Sequence, residues 1–210
     1  MRKLVVTLVV LGGLAAVADV VAEGVAEGEL EARLEAEIPQ ASSVSARISS
    51  FPFLGRLLAS GRVAEVDARA RGLEVRGLDL DVVAVDLDGV TLDKRLLWDD
   101  QRVAVTDIDR GRVRVEVTQA ALSERLGVDV RLEAGRASVT IGGERVTAEL
   151  AVRDGQLVVG GAGDSLPALD LVAPLVPCIA NAAIAPGRVL LTCDFTEVPE
   201  ELRAAVSRDL

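Results

Sequence analysis

The spacing of apolar residues changes its period along this chain of 210 residues. In the middle of the chain an apolar side chain occupies every second position of several segments, namely 64–70, 113–117, 128–134 and 146–152. Such alternation predicts antiparallel strands with one dry and one wet face. Glycine-containing dipeptides around these segments predict turns, at Asp88-Gly89, Arg110-Gly111, Gly142-Gly143 and Asp154-Gly155. We expect about eight or nine strands between residues 44 and 195.

Residues 19–38 have a different period and predict a helix. An apolar residue recurs at every fourth position, and a glutamate follows each of the first four, in the series Ala22, Ala26, Leu30, Leu34 and Ile38. Four residues advance a helix by about 400°, so this apolar row drifts by about 40° per step and winds partly around the surface. Pro39 predicts the end of the helix, since a proline disfavours helical backbone in the residue before it.

Other segments interrupt the strand pattern. Residues 51–60 are apolar with helical spacing, residues 118–126 begin with a threonine cap, and residues 199–207 predict a C-terminal helix. Residues 160–187 are rich in Gly, Ala and Pro and predict a break in the strands. Val, Ala and Leu dominate the strands, so their dry face needs a covering layer. The helices supply part of that layer, and a lipid could supply the rest.

The N-terminus predicts export from the cytosol. Arg2 and Lys3 precede an uncharged run of residues 4–18, and Ala16-Val17-Ala18 fits the small-x-small pattern before a signal-peptidase site. Cleavage before Asp19 would release the protein, and retention would leave an anchor, although 15 residues are short for a bilayer that needs about 20. We therefore expect a signal peptide or anchor at 1–18 and one domain at 19–210. Its location would be the periplasmic space or the outer face of the plasma membrane.

Composition narrows the chemistry. The chain contains no histidine and no tyrosine, which removes the commonest general base and metal ligand. Gly163-Asp164-Ser165-Leu166 matches the nucleophile block of a lipase class, but its serine has no histidine to take the proton. We expect that the protein is not an enzyme and that it holds no metal or cofactor. The alternative is acid–base hydrolysis of a lipid or glycan by some of its abundant carboxylates. The formal net charge of −10 argues against nucleic acid.

The chain has two cysteines, Cys178 and Cys193. In an oxidising compartment an even number of cysteines favours a disulfide, which here would contribute about 3 kcal/mol by closing a short loop. The alternative is a pair of buried thiols.

Residues 51–60 (FPFLGRLLAS) are the most distinctive stretch, because they hold two of the three phenylalanines beside a proline. On physical grounds they predict a loop and helix that close one end of the sheet core. The functional alternative is an apolar mouth or a membrane-touching tip. Trp98 has the same two interpretations, as a residue at the edge of the core or as an interfacial anchor.

The order of these features resembles a known family. An export segment and an acidic, alanine-rich helix precede the run V-x-A-R-I-x-S-F-P-F-L-x-x-L-L-x-x-G at 44–61, and L-x-G-V follows at 87–90. This arrangement resembles the LmeA-like phospholipid-binding proteins of the actinobacterial cell envelope, which are similar to the tubular lipid-binding (TULIP, or BPI-like) fold. The resemblance implies an α+β fold with short additional helices. Its strongly curved antiparallel sheet would wrap along the long N-terminal helix, with lipid in the groove between them.

The resemblance also implies a function and a site. We expect non-enzymatic binding, with possible transfer, of phospholipid or glycolipid by a monomer that supports envelope maintenance or lipoglycan maturation. The membrane would be reached through the N-terminal segment or the apolar tip. The residues expected to line or cap the groove are Leu30, Leu34, Phe51, Phe53, Leu54, Leu57 and Leu58. The alternative is an accessory envelope protein that docks a partner enzyme and has no room for lipid.

Overall fold

A long N-terminal helix begins the fold. The computed structural model describes the backbone of residues 2–75, 77–99, 103–153, 156–161, 169–170 and 181–198. Helix α1 spans Arg2–Glu37, so the uncharged run and the predicted amphipathic helix form one continuous element. A last hydrogen bond from Ile38 N to Leu34 O (2.9 Å) precedes Pro39, which confirms the predicted end. Within the described residues, no helix combines the length and apolar character needed to cross a membrane.

The strands among the described residues form two antiparallel sheets. The first contains seven strands: β1 (Ser43–Ser49), β2 (Arg62–Val75), β3 (Leu78–Leu92), β4 (Val105–Asp107), β5 (Arg110–Thr118), β11 (Asn181–Ala185) and β12 (Arg188–Phe195). Their order is β1-β2-β3-β5-β12-β11, with β4 paired to β3, so β1 is an edge strand. The second sheet contains β6 (Asp129–Glu133), β7 (Arg136–Ile141), β8 (Glu144–Arg153), β9 (Gln156–Gly161) and β10 (Leu169–Asp170), in the order β10-β9-β8-β7-β6.

This architecture confirms the predicted mixture of antiparallel strands, a long N-terminal helix and short helices. The twelve strands among the described residues are roughly compatible with eight or nine, since β4 and β10 have only three and two residues. The strands are divided between two sheets, whereas we expected one.

In the part of the chain that the structure describes, three short helices connect the strands: α2 (Phe53–Ser60), α3 (Lys94–Asp99) and α4 (Gln119–Leu126). The side chain of Thr118 caps α4 by accepting a hydrogen bond from Ala121 N at 3.2 Å, as predicted. Trp98 lies in α3. The predicted C-terminal helix lies outside the described residues.

Two of the predicted turns were wrong. Gly89 lies inside β3 and Gly111 inside β5, because both strands continue their pairing with neighbours on each side. The prediction of a turn at Gly142-Gly143 is confirmed, since these residues join β7 to β8 with φ angles of 61° and 88°. Within residues 160–187, Asn181–Ala185 form a strand although their sequence does not alternate. Residues 154–155 and 163–166 lie outside the described residues.

The buried apolar residues form two clusters. The main core joins the two sheets and α4, and it includes Val115 and Val117 from β5, Leu132 from β6, and Leu122 from α4. The second cluster, called the tip core here, surrounds α2 and is built from Phe53, Leu57, Val63, Val90, Ile108 and Val198. Phe195 is half-buried and packs against both clusters.

Candidate functional site

The inner face of the first sheet is lined by small apolar side chains that become more buried from one edge inward. One cross-strand row runs Ala46, Ala68, Val85, Val113 and Cys193. The first three are half-buried, whereas Val113 and Cys193 are fully buried. The reason is coverage, since the second sheet and α4 pack over β5 and β12 in the main core. The inner face of β1 and of the middle of β2 and β3 is therefore the less covered part of the sheet.

This less covered surface is called the groove face here. It consists of the half-buried inner side chains Val44, Ala46, Ile48, Val66, Ala68, Val83, Val85 and Leu87. At one end Ile48, Val66 and Leu87 pack against the tip core. At the other end Val83 packs against the main core. Between these ends lie the alanines of the row, Ala46 and Ala68, whose side chains are short. Such a strip of apolar surface between two cores suits an acyl chain.

The apolar row of α1 spans the same distance as the groove face. Ala22 and Ala26 pack against the tip core, and Ile38 packs against the main core. Leu30 and Leu34 belong to the same helical row, so they lie between those two points, and both are half-buried. The structure thus places Leu30 and Leu34 level with the middle of the groove face.

A row of carboxylates holds α1 against β1. Glu31 Oε1 accepts from Ala46 N at 2.8 Å, and Glu27 Oε1 accepts from Ile48 N at 2.7 Å. Glu23 Oε1 accepts from Ser50 N at 2.9 Å. These three glutamates are called the carboxylate row here. Because β1 is an edge strand, the N–H groups that face away from β2 would otherwise lack a strand partner.

The match between helix and strand follows from their geometry. Four residues of helix rise about 6.0 Å. Two residues of strand advance about 6.6–6.8 Å. A carboxylate at every fourth helical position can therefore meet every second N–H of an antiparallel strand, within the reach of a flexible side chain. In the sequence these glutamates are visible only as neighbours of the apolar row. Their four-residue spacing was the available signal, but it did not identify a partner.

Asp19 extends this arrangement to α2. Its Oδ2 accepts from Phe53 N and its Oδ1 accepts from Leu54 N, both at 2.6 Å. Pro52, which precedes α2, offers no side-chain cap. Asp19, which lies 34 positions before Phe53, caps the helix instead. The Asp19 side chain is buried, and two N–H donors at a helix N-terminus are the partners that a buried carboxylate needs. In the sequence, Asp19 is notable only as the residue after the predicted cleavage site.

The predicted residues of segment 51–60 fall into two groups. Phe53 and Leu57 are 6% and 9% exposed and belong to the tip core, with Leu54 half-buried against it. Phe51 and Leu58 are 69% and 57% exposed, so they lie on the surface beside that core. The prediction that segment 51–60 closes one end of the sheet therefore fits Phe53 and Leu57. The lining of a lipid groove by these residues stays a prediction.

Comparison with known proteins identifies the family. The model of the LmeA-like phospholipid-binding family matches residues 17–206, which include the groove face, the carboxylate row and the tip core. The chain belongs to the LmeA-like phospholipid-binding family. No curated protein and no solved structure matches it. The family membership confirms the resemblance, while the likeness to the tubular lipid-binding fold stays a prediction.

On the polar face of this LmeA-like protein, acids of β2 and β3 lie opposite each other, among them Glu65 and Asp88. Asp67 on β2 lies directly opposite Asp86 on β3. Burial raises the pKa of Asp67 above its ordinary value, and the charge of Glu65 and the charge and hydrogen bond of Asp86 raise it further, against a lowering by Arg47. Both acids alternate with inner-face residues and therefore point away from the groove face. Among the described residues, no group of three or more acids or cysteines is arranged to hold a metal ion.

Of the two cysteines in the predicted disulfide of the LmeA-like chain, one lies among the described residues. Cys193 is fully buried in the main core. Cys178 lies outside the described residues, so the bond between them stays a prediction.

Proposed function

We propose that this member of the LmeA-like family is a non-enzymatic carrier of phospholipid in the cell envelope, where it supports envelope maintenance or lipoglycan maturation. The observation that carries the proposal is the groove face, a half-buried strip of small apolar side chains in a chain that belongs to a phospholipid-binding family. Each buried methylene of an acyl chain contributes about 0.8 kcal/mol, so a short stretch of such contacts is enough for binding.

Binding without catalysis fits the chemistry of the chain. There is no histidine or tyrosine in the sequence. Asp67, whose pKa is raised by burial, and its neighbour Asp86 lie on the polar face of the sheet, across from the groove face. Catalysis on a lipid held against the groove face would need a group on the same side of the sheet.

Export of the protein is part of the proposal. It is supported by the basic start, the uncharged residues 4–18 and the small residues before Asp19. In the envelope, the protein would be either a released shuttle or a carrier tethered by α1.

Native mass spectrometry tests the proposal. The full-length protein, purified from a bacterial envelope fraction, is expected to carry phospholipid masses or to take up phosphatidylglycerol from vesicles. A preparation that carries no lipid and takes up none would overturn it. Incubation with a labelled glycolipid serves as the check for catalysis, because turnover that stops after replacing a single acid would show an enzyme.

A further inference from the structure

Segment 51–60, called the tip segment here, presents two large apolar side chains to solvent. Phe51 and Leu58 are 69% and 57% exposed, while Phe53 and Leu57 of the same segment are anchored in the tip core. Single exposed apolar residues are common on protein surfaces, so exposure alone decides little. Here the two exposed residues belong to one short element whose remaining apolar residues hold it in place.

The tip segment is firmly attached to the rest of the fold. Asp19 accepts hydrogen bonds from the first N–H groups of α2. At the other end of α2, Gly61 N donates a hydrogen bond to Leu57 O at 2.9 Å. Immediately before the segment, buried Ser50 accepts a hydrogen bond from Ala64 N at 3.0 Å. Because Phe53 and Leu57 already fill the core beneath, Phe51 and Leu58 have no buried position to adopt.

The tip segment lies beside the part of α1 at which the uncharged run 4–18 ends. Asp19, which contacts the first turn of α2, directly follows the uncharged residues 4–18. Val20, Val21 and Val25, within two helical turns of Asp19, are also exposed. Exposed apolar side chains from two elements therefore lie near the end of the same uncharged run.

We propose that the tip segment is the surface by which this protein docks on a phospholipid bilayer, with Phe51 and Leu58 inserted among the lipids. The inference rests on the proposed function, and three observations select a bilayer as the occupant. The family binds phospholipid, the surface lies beside the end of the uncharged run 4–18, and two cations lie at the segment. Arg56 is exposed within α2, and Lys94 donates to Ala59 O at 3.1 Å.

Charge also sets the orientation of docking. With a formal net charge of −10, most of the surface is repelled by an anionic bilayer. The ammonium of Lys94 and the guanidinium of Arg56 make the tip segment an exception, because they can approach lipid phosphates. Arginine and aromatic residues are typical of surfaces that meet the lipid headgroup layer.

Docking in this orientation would place the bilayer beside one end of the groove face. Ile48, Val66 and Leu87 form that end and pack against the tip core, directly below the tip segment. A lipid leaving the bilayer would then have a continuous apolar path past the tip core to the groove face.

Site-specific fluorescence tests the contact. The chain has one tryptophan, so Trp98→Phe gives a background in which a single new tryptophan reports its own surroundings. In full-length protein of this background, Phe51→Trp is expected to be quenched by phosphatidylglycerol/phosphatidylcholine vesicles with brominated acyl chains. The matched control is Ile141→Trp, because Ile141 is exposed at the end of β7 in the second sheet. No quenching at position 51, or equal quenching at both positions, would overturn the proposal.

A second pair of variants measures the consequence for lipid uptake. The double variant Phe51→Ser with Leu58→Ser is expected to take up phospholipid from vesicles roughly tenfold more slowly or worse, because it loses two inserted side chains. The control double variant, Val103→Ser with Ile141→Ser, removes two other exposed apolar residues and should retain the original rate. All four positions are exposed, so both proteins are expected to fold, as circular dichroism would verify.

The outcomes separate docking from binding. A short-chain phosphatidylcholine that dissolves as monomers needs no docking, so the tip double variant is expected to lose more of its uptake from vesicles than of its binding to this lipid. An equal loss of both would assign Phe51 and Leu58 to the binding site and overturn the docking proposal. If the original protein fails to bind this lipid and long-chain phospholipid alike, the proposed function fails, while the quenching result still decides docking. If the tip double variant instead converts a dimer to a monomer in vesicle-free sedimentation, the surface joins two copies of the chain and the bilayer proposal is wrong.

Discussion

Glu27 Oε1 accepts a hydrogen bond of 2.7 Å from the backbone N–H of Ile48, so a helix side chain occupies the place of a neighbouring strand. Glu23 and Glu31 accept in the same way from the N–H groups of Ser50 and Ala46, which lie two residues after and two residues before Ile48. An exposed edge strand invites pairing with another chain, and covering it is one of the ways by which proteins avoid aggregation. The carboxylate row therefore protects β1 and positions the apolar row of α1 beside the groove face.

Removing one carboxylate should expose one N–H. In Glu27→Ala, we expect hydrogen exchange at the Ile48 amide to accelerate by about tenfold or more, because a hydrogen bond to a charged group contributes about 1.5–3 kcal/mol. Exchange measured by NMR gives the value for each residue. The matched control is Glu29→Ala, whose side chain is exposed and pairs with Arg33. An unchanged Ile48 rate, or the same acceleration in the control, would contradict the role of Glu27.

Asp19 should contribute to the stability of the tip segment through both of its oxygens. In Asp19→Asn, one oxygen becomes an amide donor that faces Phe53 N or Leu54 N, so a buried donor loses its acceptor. We expect a loss of about 1–3 kcal/mol in the free energy of unfolding, measured with urea, and a larger loss for Asp19→Ala. Glu29→Gln, at an exposed ion pair, should cost about 0.5 kcal/mol or less. Equal stability of Asp19→Asn and Glu29→Gln would refute the capping role.

Filling the groove face should reduce lipid binding without unfolding the protein. Ala68 is half-buried in the middle of the groove face, and Ala68→Leu adds three carbons, so it would occupy the space of about three acyl methylenes. We expect about a fiftyfold loss of affinity for a labelled phosphatidylglycerol, at about 0.8 kcal/mol per methylene. Ala183→Leu introduces the same side chain at an exposed position of β11 and should leave affinity unchanged. Full affinity in Ala68→Leu would place the lipid elsewhere.

The Asp67–Asp86 pair predicts a pH-dependent effect on stability. Because the native pKa of Asp67 is raised, the native state loses stability as pH rises through that pKa and this carboxyl ionises. Asp67→Asn should therefore be more stable than the original protein at pH 7, by about 0.2–1 kcal/mol for relief of a like-charged cross-strand pair.

The advantage of Asp67→Asn should disappear once the pH falls below the ordinary pKa of aspartate, about 3.9. Urea unfolding at both pH values measures the difference. Asp81→Asn, at an exposed acid of β3, the strand that carries Asp86, serves as the control and should change stability little at either pH. The prediction would be contradicted if Asp67→Asn were less stable than the original protein at pH 7 and equal to it at low pH.

Local sequence determined the elements that depend on near neighbours. Alternation predicted β2, β5, β6 and β8 because a strand exposes successive side chains to opposite faces. Thr118 predicted the start of α4, since its hydroxyl reaches an N–H only three residues away. The tip segment was also recognisable, because Phe53 and Leu57 share one helical face by their spacing.

Pairing between distant residues decided the rest. Alternation is the same in both sheets, so it could not show that the strands divide into two groups. Likewise, Asp88-Gly89 has the composition of a turn, but pairing of β3 with β2 and β5 keeps it within a strand. The spacing of Glu23, Glu27 and Glu31 was visible in the sequence, whereas their partners lie 15 to 27 residues away. Only the packing of α1 along β1 brings those carboxylates to the N–H groups they bind, because a hydrogen bond depends on position in space, which periodicity along the chain does not specify.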